Sequence, residues 1–283
     1  MWYDIKKALF LNLGYGRIFA MSNPVVRKDW EAEGVRCLSK GRAGNARVYL
    51  VNTPEKQIVI KDFRKSPWWI RWTWGRWMAG HEYRLMKCLE GLPGVPQHVF
   101  RVDAYSFGMD FLEGVTFGDY NQRESDIAHG KMPPESAYPR LPLSYFRALE
   151  RLVCAMHRRN VTHLDTRNAK NVLILPDNTP ALIDFQSGVY LRKWYPKWFR
   201  KILLLADLSS VYKHYYHFCF DLKGNLIEGE GAFPESRAKL FLAHLKLRKL
   251  WKLKGYTFIN NRKMKDYERF LVERYAKQEE GGC

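Results

Sequence analysis

Val161-Thr162-His163-Leu164-Asp165-Thr166-Arg167-Asn168-Ala169-Lys170-Asn171-Val172-Leu173-Ile174-Leu175, followed closely by Leu182-Ile183-Asp184-Phe185-Gln186, decides how the rest of the chain is read. Two apolar, β-branched runs flank Pro176-Asp177-Asn178-Thr179-Pro180, a turn composition, so the spacing predicts a hairpin. Pairing the strands brings Asn171 and Asp184 to neighbouring positions with Asp165 beside them. An amide oxygen and a carboxylate are the hard oxygen donors that Mg²⁺ takes when it keeps several waters and meets substrate phosphates. Asp165 then stays free of metal to orient a hydroxyl and accept its proton. A plain hairpin carrying two structural acids is the alternative reading of the same residues.

Composition limits the classes open to the chain. Its 283 residues suffice for one large domain or two lobes with a buried core, and 46% hydrophobic with 15% aromatic content excludes a disordered chain. Lys and Arg number 47 against 29 acids, giving +18, a field that attracts polyanions: nucleic acid, anionic lipid or a phosphorylated glycan. Cysteines at 37, 88, 154, 219 and 283 are odd in number and scattered without C-x-x-C spacing, which argues against zinc and a disulfide framework and fits a reducing cytosol. No stretch has the length of a membrane-spanning helix. The opening, Lys6 and Lys7 before an apolar run broken by Asn12, Gly14 and Arg17, reads as a short amphipathic helix that packs on the domain or lies on a membrane.

Upstream of the hairpin, residues 35–40 and 46–51 read as strands around Gly41-Arg42-Ala43-Gly44-Asn45, and residues 57–63 as a third. Small residues at such a tip, Gly41, Ala43 and Gly44, let backbone N–H groups approach phosphate oxygens. Lys61 stands in an otherwise apolar strand and needs an anion to pair with. Ser66-Pro67 opens a helix, or a broken pair, reaching Leu89. Within it Glu82 is the only acid between Asp62 and Glu90, hence either the partner of Lys61 or a solvated surface Glu. Residues 99–102 and 104–112 add strands. Residues 118–142, polar and holding four prolines, read as a loop insertion. From Ser144 a helix buries Tyr145, Phe146, Leu149, Leu152, Val153 and Met156. His157 and His163 lack a third ligand of suitable spacing, and His163 reads as a packing residue bracing the loop.

Taken together these parts resemble the protein-kinase-like superfamily, with its H-R-D-x-x-x-x-N and D-F-G motifs. Six positions separate Asp165 from Asn171 where the pattern has five, a one-residue loop insertion; Leu164 replaces the Arg and Gln186 the Gly. The missing Arg implies no control by a phosphorylated activation loop. Aligned on Val48, the glycine-loop pattern falls on Gly41, Ala43 and Ala46, and Ile58-Val59-Ile60-Lys61 resembles the V-A-I-K strand. The resemblance covers roughly residues 35–210. It implies an α+β, two-lobed fold: an N-terminal amphipathic extension (1–34), a β-rich nucleotide-binding lobe (35–113), and a mostly helical catalytic lobe with a basic helical end (114–283). ATP and Mg²⁺ are the implied cofactors. Lys61 would hold the α- and β-phosphates against Glu82, and Asp110-Phe111-Leu112-Glu113-Gly114 would form the hinge, with Met109 and Phe111 beside adenine. Asp165 would be the catalytic carboxylate that orients the hydroxyl and accepts its proton, and Arg167 would offset charge on the transferring phosphate. Asn171 and Asp184 would hold metal, with Asn168 an alternative ligand.

Only Ser187–Ala206 separates the metal Asp from the next helix, and no A-P-E segment follows. This compact form resembles the bacterial lipopolysaccharide-core kinases, which phosphorylate heptose or Kdo sugars, and the RIO-like kinases. Asp207 resembles the helix-start Asp that braces the catalytic loop in this group, and also reads as a simple helix cap. Trp68, Trp69, Trp72, Trp74 and Trp77 crowd one short stretch, and Trp194 and Trp198 lie among Arg192, Lys193, Lys197, Arg200 and Lys201. Such composition suits a membrane interface, or rings packed between lobes. Between Glu235 and Asp266 stand ten Lys or Arg and no acid. The expected function is phosphoryl transfer to a hydroxyl of a lipopolysaccharide core sugar, at the cytoplasmic face of the membrane. The partner is then an anionic glycolipid or membrane rather than nucleic acid. A RIO-like serine/threonine protein kinase and a catalytically silent nucleotide-binding scaffold are the other readings.

Overall fold

The computed structural model describes residues 28–31, 35–41, 45–64, 75–139 and 141–219. The N-terminal amphipathic segment, tip residues Ala43 and Gly44, the helix start at Ser66-Pro67, the tryptophans from Trp68 to Trp74 and the basic stretch from Glu235 to Asp266 lie outside these residues.

The described fold is α+β. A one-turn helix α1 (Lys28–Glu31) precedes strands β1 (Arg36–Ser39), β2 (Arg47–Asn52) and β3 (Gln57–Asp62). Helix α2 (Arg76–Leu89) follows, then β4 (Phe100–Arg101) and β5 (Ser106–Asp110). These five strands form one antiparallel sheet in the order β1-β2-β3-β5-β4. The alternation in β3 sorts its side chains. Ile58 and Ile60 join Trp30, Tyr49 and Val51 in a core on one face, so Lys61, one position on, points to the opposite face. Gly41, just past β1, has φ +64, and a Cβ there would come within 2.6 Å of Asn45 O. Only glycine fits that tight return into β2.

Helix α2 buries Met78, Ala79, Glu82, Leu85, Met86 and Leu89. Those positions recur at helical spacing, which makes Glu82 part of the inward stripe and not a solvated residue. After β5 come β6 (Val115–Thr116) and helix α3 (Phe117–Ala128). The expected loop over 118–142 is therefore corrected: half of it is helix, and a 3-10 turn occupies Pro134–Ser136. Thr116 Oγ1 accepts the Asp119 N–H while donating to the Asp119 carboxylate, a reciprocal cap, and Phe117 and Tyr120 supply the buried anchors.

Helix α4 (Leu143–Arg158) buries all six residues assigned to its inner face. It leads into β7 (Val161–Thr162), a 3-10 turn (Ala169–Asn171), β8 (Val172–Ile174) and β9 (Pro180–Leu182). Strands β8 and β9 pair antiparallel, as the turn composition predicts; Asp177 Oδ1 accepts the Thr179 N–H and hydroxyl inside that turn. Strand β6 pairs with β8 to complete a three-stranded sheet. A 3-10 turn (Phe185–Ser187) and β10 (Val189–Tyr190), which pairs with β7, lead to helix α5 (Lys197–Cys219). That helix begins ten residues before Asp207, directly after Pro196, whose carbonyl accepts the Arg200 N–H. Asp207 is thus neither a helix start nor a cap, and the connection after Asp184 is shorter than the sequence suggests.

Candidate functional site: a lysine–carboxylate cluster over a braced loop

Three distant elements meet at Lys61. Its Nζ, 7% exposed as a residue, donates to Glu82 Oε1 of α2 at 2.5 Å and to Asp184 Oδ1 beyond β9 at 2.6 Å. The Phe185 N–H also donates to Glu82 Oε1, at 3.1 Å, so α2 is tied to the segment after Asp184 through one carboxylate oxygen. Burial by itself disfavours the Lys61 ammonium, but Asp184 and Glu82 outweigh it and hold the group above the ordinary lysine value. The same cation holds Asp184 below the ordinary Asp value against partial burial. Glu82 is pushed upward by burial, with Lys61 opposing the shift.

Asp184 adopts φ +66, ψ +72, the left-handed region that a non-glycine residue occupies only where surrounding contacts impose it. Its neighbour Ile183 donates its N–H to Asn171 O at 3.0 Å, extending the β8–β9 ladder by one step. Asn171 and Asp184 are consequently adjacent across the hairpin.

The loop from His163 to Asn171 is fixed from below. Asp207 is fully buried in α5; its Oδ2 accepts the His163 N–H at 2.8 Å and its Oδ1 the Leu164 N–H at 2.7 Å, while His157 Nε2 meets Oδ2 at 3.0 Å. Leu164 sits at φ +60, a conformation bulky residues avoid, in the turn that aims both amides at one carboxylate. His163 puts Nε2 2.9 Å from Ile183 O and accepts the Asp165 N–H on Nδ1 at 3.3 Å, with its ring tilted over Phe185 at 4.5 Å. These bonds place the ring proton on Nε2. His214, seven residues after Asp207 and so on the same face of α5, completes the brace through Thr166 O at 2.7 Å.

At the top of this loop Asn171 Nδ2 donates to Asp165 O at 3.1 Å and to Asp165 Oδ2 at 2.8 Å. With its nitrogen committed, the Asn171 oxygen is the atom a cation would take. Asn168 Oδ1 instead accepts the Lys170 N–H, capping the 3-10 turn, and its Nδ2 lies 3.5 Å from Asp165 Oδ2, so it fits a positioning role better than the alternative metal role. Burial raises the Asp165 carboxyl above its ordinary value, with Asp184 adding to the rise and the bonds from Asn168 and Asn171 opposing it. A carboxylate made more basic in this way suits proton acceptance.

Val48 pairs with Lys61 across β2 and β3, and Asn45, beside the tip, accepts a bond from Gln186 Nε2 at 3.3 Å. Met109 is buried in the core on β5, opposite Val59. The Phe111 N–H is already donated to Gln57 O at 3.2 Å, which removes that amide as a donor to a base in the 110–114 segment. Arg167 lies two residues past Asp165, and its carbonyl accepts Lys213 Nζ at 2.8 Å, which ties that part of the loop to α5. Two partnerships went unread in the sequence. His214 shares a helix face with Asp207, a spacing the text of the chain carries. His81 Nε2 lies 2.8 Å from Gly188 O, where a Cβ at Gly188 would approach Thr162 O to 2.6 Å, a proximity no local pattern announces.

Among the described residues no group of three or more His, Cys, Asp and Glu could hold a metal ion. No protein-family model matches the sequence, and no curated protein matches it.

Proposed function

We propose that the protein is an ATP- and Mg²⁺-dependent phosphotransferase with a two-lobed, protein-kinase-like fold. The observation that carries this reading is the contact of Lys61 with both Glu82 and Asp184, beside an Asp165 fixed by Asn171. A buried lysine shared by two carboxylates is a charge that can be handed to phosphate oxygens without leaving Glu82 unpaired. Asn171 and Asp184 offer the oxygen donors that fit Mg²⁺, which when bound would neutralise phosphate charge. Asp165 orients the acceptor hydroxyl and takes its proton. Arg167 stands on the same loop to counter charge that develops during transfer. Lys61 positions the phosphates. Catalysis is then chiefly placement and charge neutralisation.

The acceptor we propose is a hydroxyl on a lipopolysaccharide core sugar, reached from the cytoplasmic face of the membrane. The short connection from Phe185 to Pro196 supports it, because twelve residues that include β10 leave little chain to seat a peptide. Labelled ATP given with separate pools of truncated glycolipid and of protein tests the reading. Label in the glycolipid is the expected result. Label only in protein would replace the sugar with a RIO-like protein acceptor, and ATP binding without transfer to either would leave a silent scaffold.

A further inference from the structure

Five large apolar side chains are strongly exposed among the described residues: Leu38, Trp77, Tyr190, Trp194 and Trp198. Four of them are linked through one cleft and the rings packed beside it. Trp77 and Tyr190 line the same cleft, of about 1020 Å³, between α2 and the segment after Asp184, together with Arg84, Arg192 and Tyr195. Tyr195 packs edge-on against Trp194 at 4.5 Å and against Phe199 at 5.6 Å, and Phe199 packs against Trp198 at 5.8 Å. The two most exposed rings, Trp194 at 73% and Trp198 at 65%, therefore crown a single aromatic ridge at the start of α5.

The charge around this ridge is one-signed. No acid occurs between Asp184 and Asp207, while Arg192, Lys193, Lys197, Arg200 and Lys201 do. Arg200 is engaged with Asn160 Oδ1 at 3.2 Å. The other four are exposed and have no acid partner among the described residues. Lys197, Trp198 and Lys201 share the outer face of the first turn of α5, so the cations flank the indole on the same surface.

We infer that this ridge is a docking surface for an anionic phospholipid bilayer, with Trp194 and Trp198 entering the headgroup layer and Lys193, Lys197 and Lys201 meeting lipid phosphates. Indole is favoured at that depth because it is amphipathic, and long lysine stems let the ammonium reach the phosphate while the stem covers apolar surface. Single-stranded nucleic acid also combines aromatic and basic contacts, but it needs flat platforms on which successive bases stack. Here Trp194 meets Tyr195 at 80° and Trp198 meets Phe199 at 73°, a ridge of crossed rings and not a row of parallel faces. The surface is also rigidly joined to the loop that carries Asp165: β10 pairs with β7, and the Leu191 N–H donates to Asn160 O at 2.7 Å. Docking at the ridge would fix the height and tilt of that loop above the bilayer. The inference stands on surface chemistry and does not require the phosphotransferase reading.

The full chain is sedimented with vesicles of phosphatidylcholine containing phosphatidylglycerol, and with vesicles of phosphatidylcholine alone. Wild type is expected to bind the anionic vesicles, and Trp194→Ala/Trp198→Ala to bind them about tenfold or more weakly. Lys193→Gln/Lys197→Gln is expected to lose much of the preference for anionic over neutral vesicles, and serves should the tryptophan variant fold poorly. Melting temperatures of both variants should match wild type, because the side chains removed are exposed. Vesicle affinity within twofold of wild type in the folded tryptophan variant would overturn the inference, whatever other basic segments contribute. So would a variant that loses affinity for a single-stranded oligonucleotide while keeping its affinity for vesicles.

Discussion

Glu82 and Asp207 are both buried acids, 1% and 0% exposed, yet the chain holds them in opposite ways. Asp207 is held by two backbone amides of the His163–Asn171 loop and by the imidazole of His157 on α4. Glu82 is held by one amide and by the ammonium of Lys61, which it shares with Asp184. An amide cannot leave its carboxylate without the backbone moving; a lysine head can swing to a phosphate oxygen on four rotatable bonds. The first arrangement makes a fixed platform and the second an exchangeable charge, and the phosphotransferase proposed above would use both.

The largest expected effect comes from breaking the platform. Asp207→Ala leaves two amides and His157 without their acceptor, and should cost at least about 3 kcal/mol of unfolding free energy, read from urea denaturation. Asp207→Asn, which keeps one oxygen, should recover part of that loss. If Asp207→Ala left stability unchanged, the platform would have to be held by other contacts.

Asp165→Asn tests what the platform carries. Turnover should fall by about 10²–10⁴-fold, with the dissociation constant for ATP changed little, since in the proposed mechanism the carboxylate acts on the acceptor and not on the nucleotide. Equal losses in both would move Asp165 from proton acceptance to nucleotide binding.

For the exchangeable side the sharper probe is a pair. Lys61→Met alone strands Glu82 in the core and should destabilise the protein by about 3–5 kcal/mol. Lys61→Met with Glu82→Leu should restore most of the stability while nucleotide affinity stays low. No such rescue is expected for Asp207, whose main partners are backbone groups. A double variant as unstable as the single one would show that the lysine's worth is not tied to Glu82.

The smallest effect lies in pH. In the proposed mechanism Asp165 acts as the carboxylate, and burial raises its value, so the acid limb of turnover should lie above the ordinary value for an Asp side chain. Asp184 is depressed, so its contribution to stability is fully present above the ordinary Asp value and is lost only as pH falls through its lowered one. Lys61 is raised, so its contribution is fully present below the ordinary lysine value and is lost only as pH rises through its raised one. Turnover should therefore fail on acidification before the Lys61–Asp184 contact does, a separation visible when activity and melting temperature are followed over the same pH series.

The fixed and exchangeable sides also differed in how far the sequence revealed them. Lys61 was legible because an apolar alternation interrupted by one cation is visible along a strand, and Glu82 because a lone acid on a helix stripe has few other partners. The β8–β9 hairpin was legible from its turn chemistry, which is local. Asp207 announced its role but not its place. The aromatic residues after Pro196 resemble a loop, and α5 forms there because its inner face docks with α4 and β7, contacts that sequence spacing does not encode. Helix α3 was hidden for a related reason: its polar length masks the few residues, Phe117 and Tyr120, that anchor it. The committed Phe111 amide was beyond reach, since it depends on the register of β5 against β3.

The most direct measurement is a calorimetric titration of ATP into wild type and into Asp184→Asn, each with and without Mg²⁺. An exchangeable lysine over a two-oxygen metal site predicts that Mg²⁺ tightens binding to wild type at least about tenfold, and that the gain is lost in the variant. Binding that ignores Mg²⁺ in wild type, or a gain that survives the loss of the Asp184 carboxylate, would contradict it.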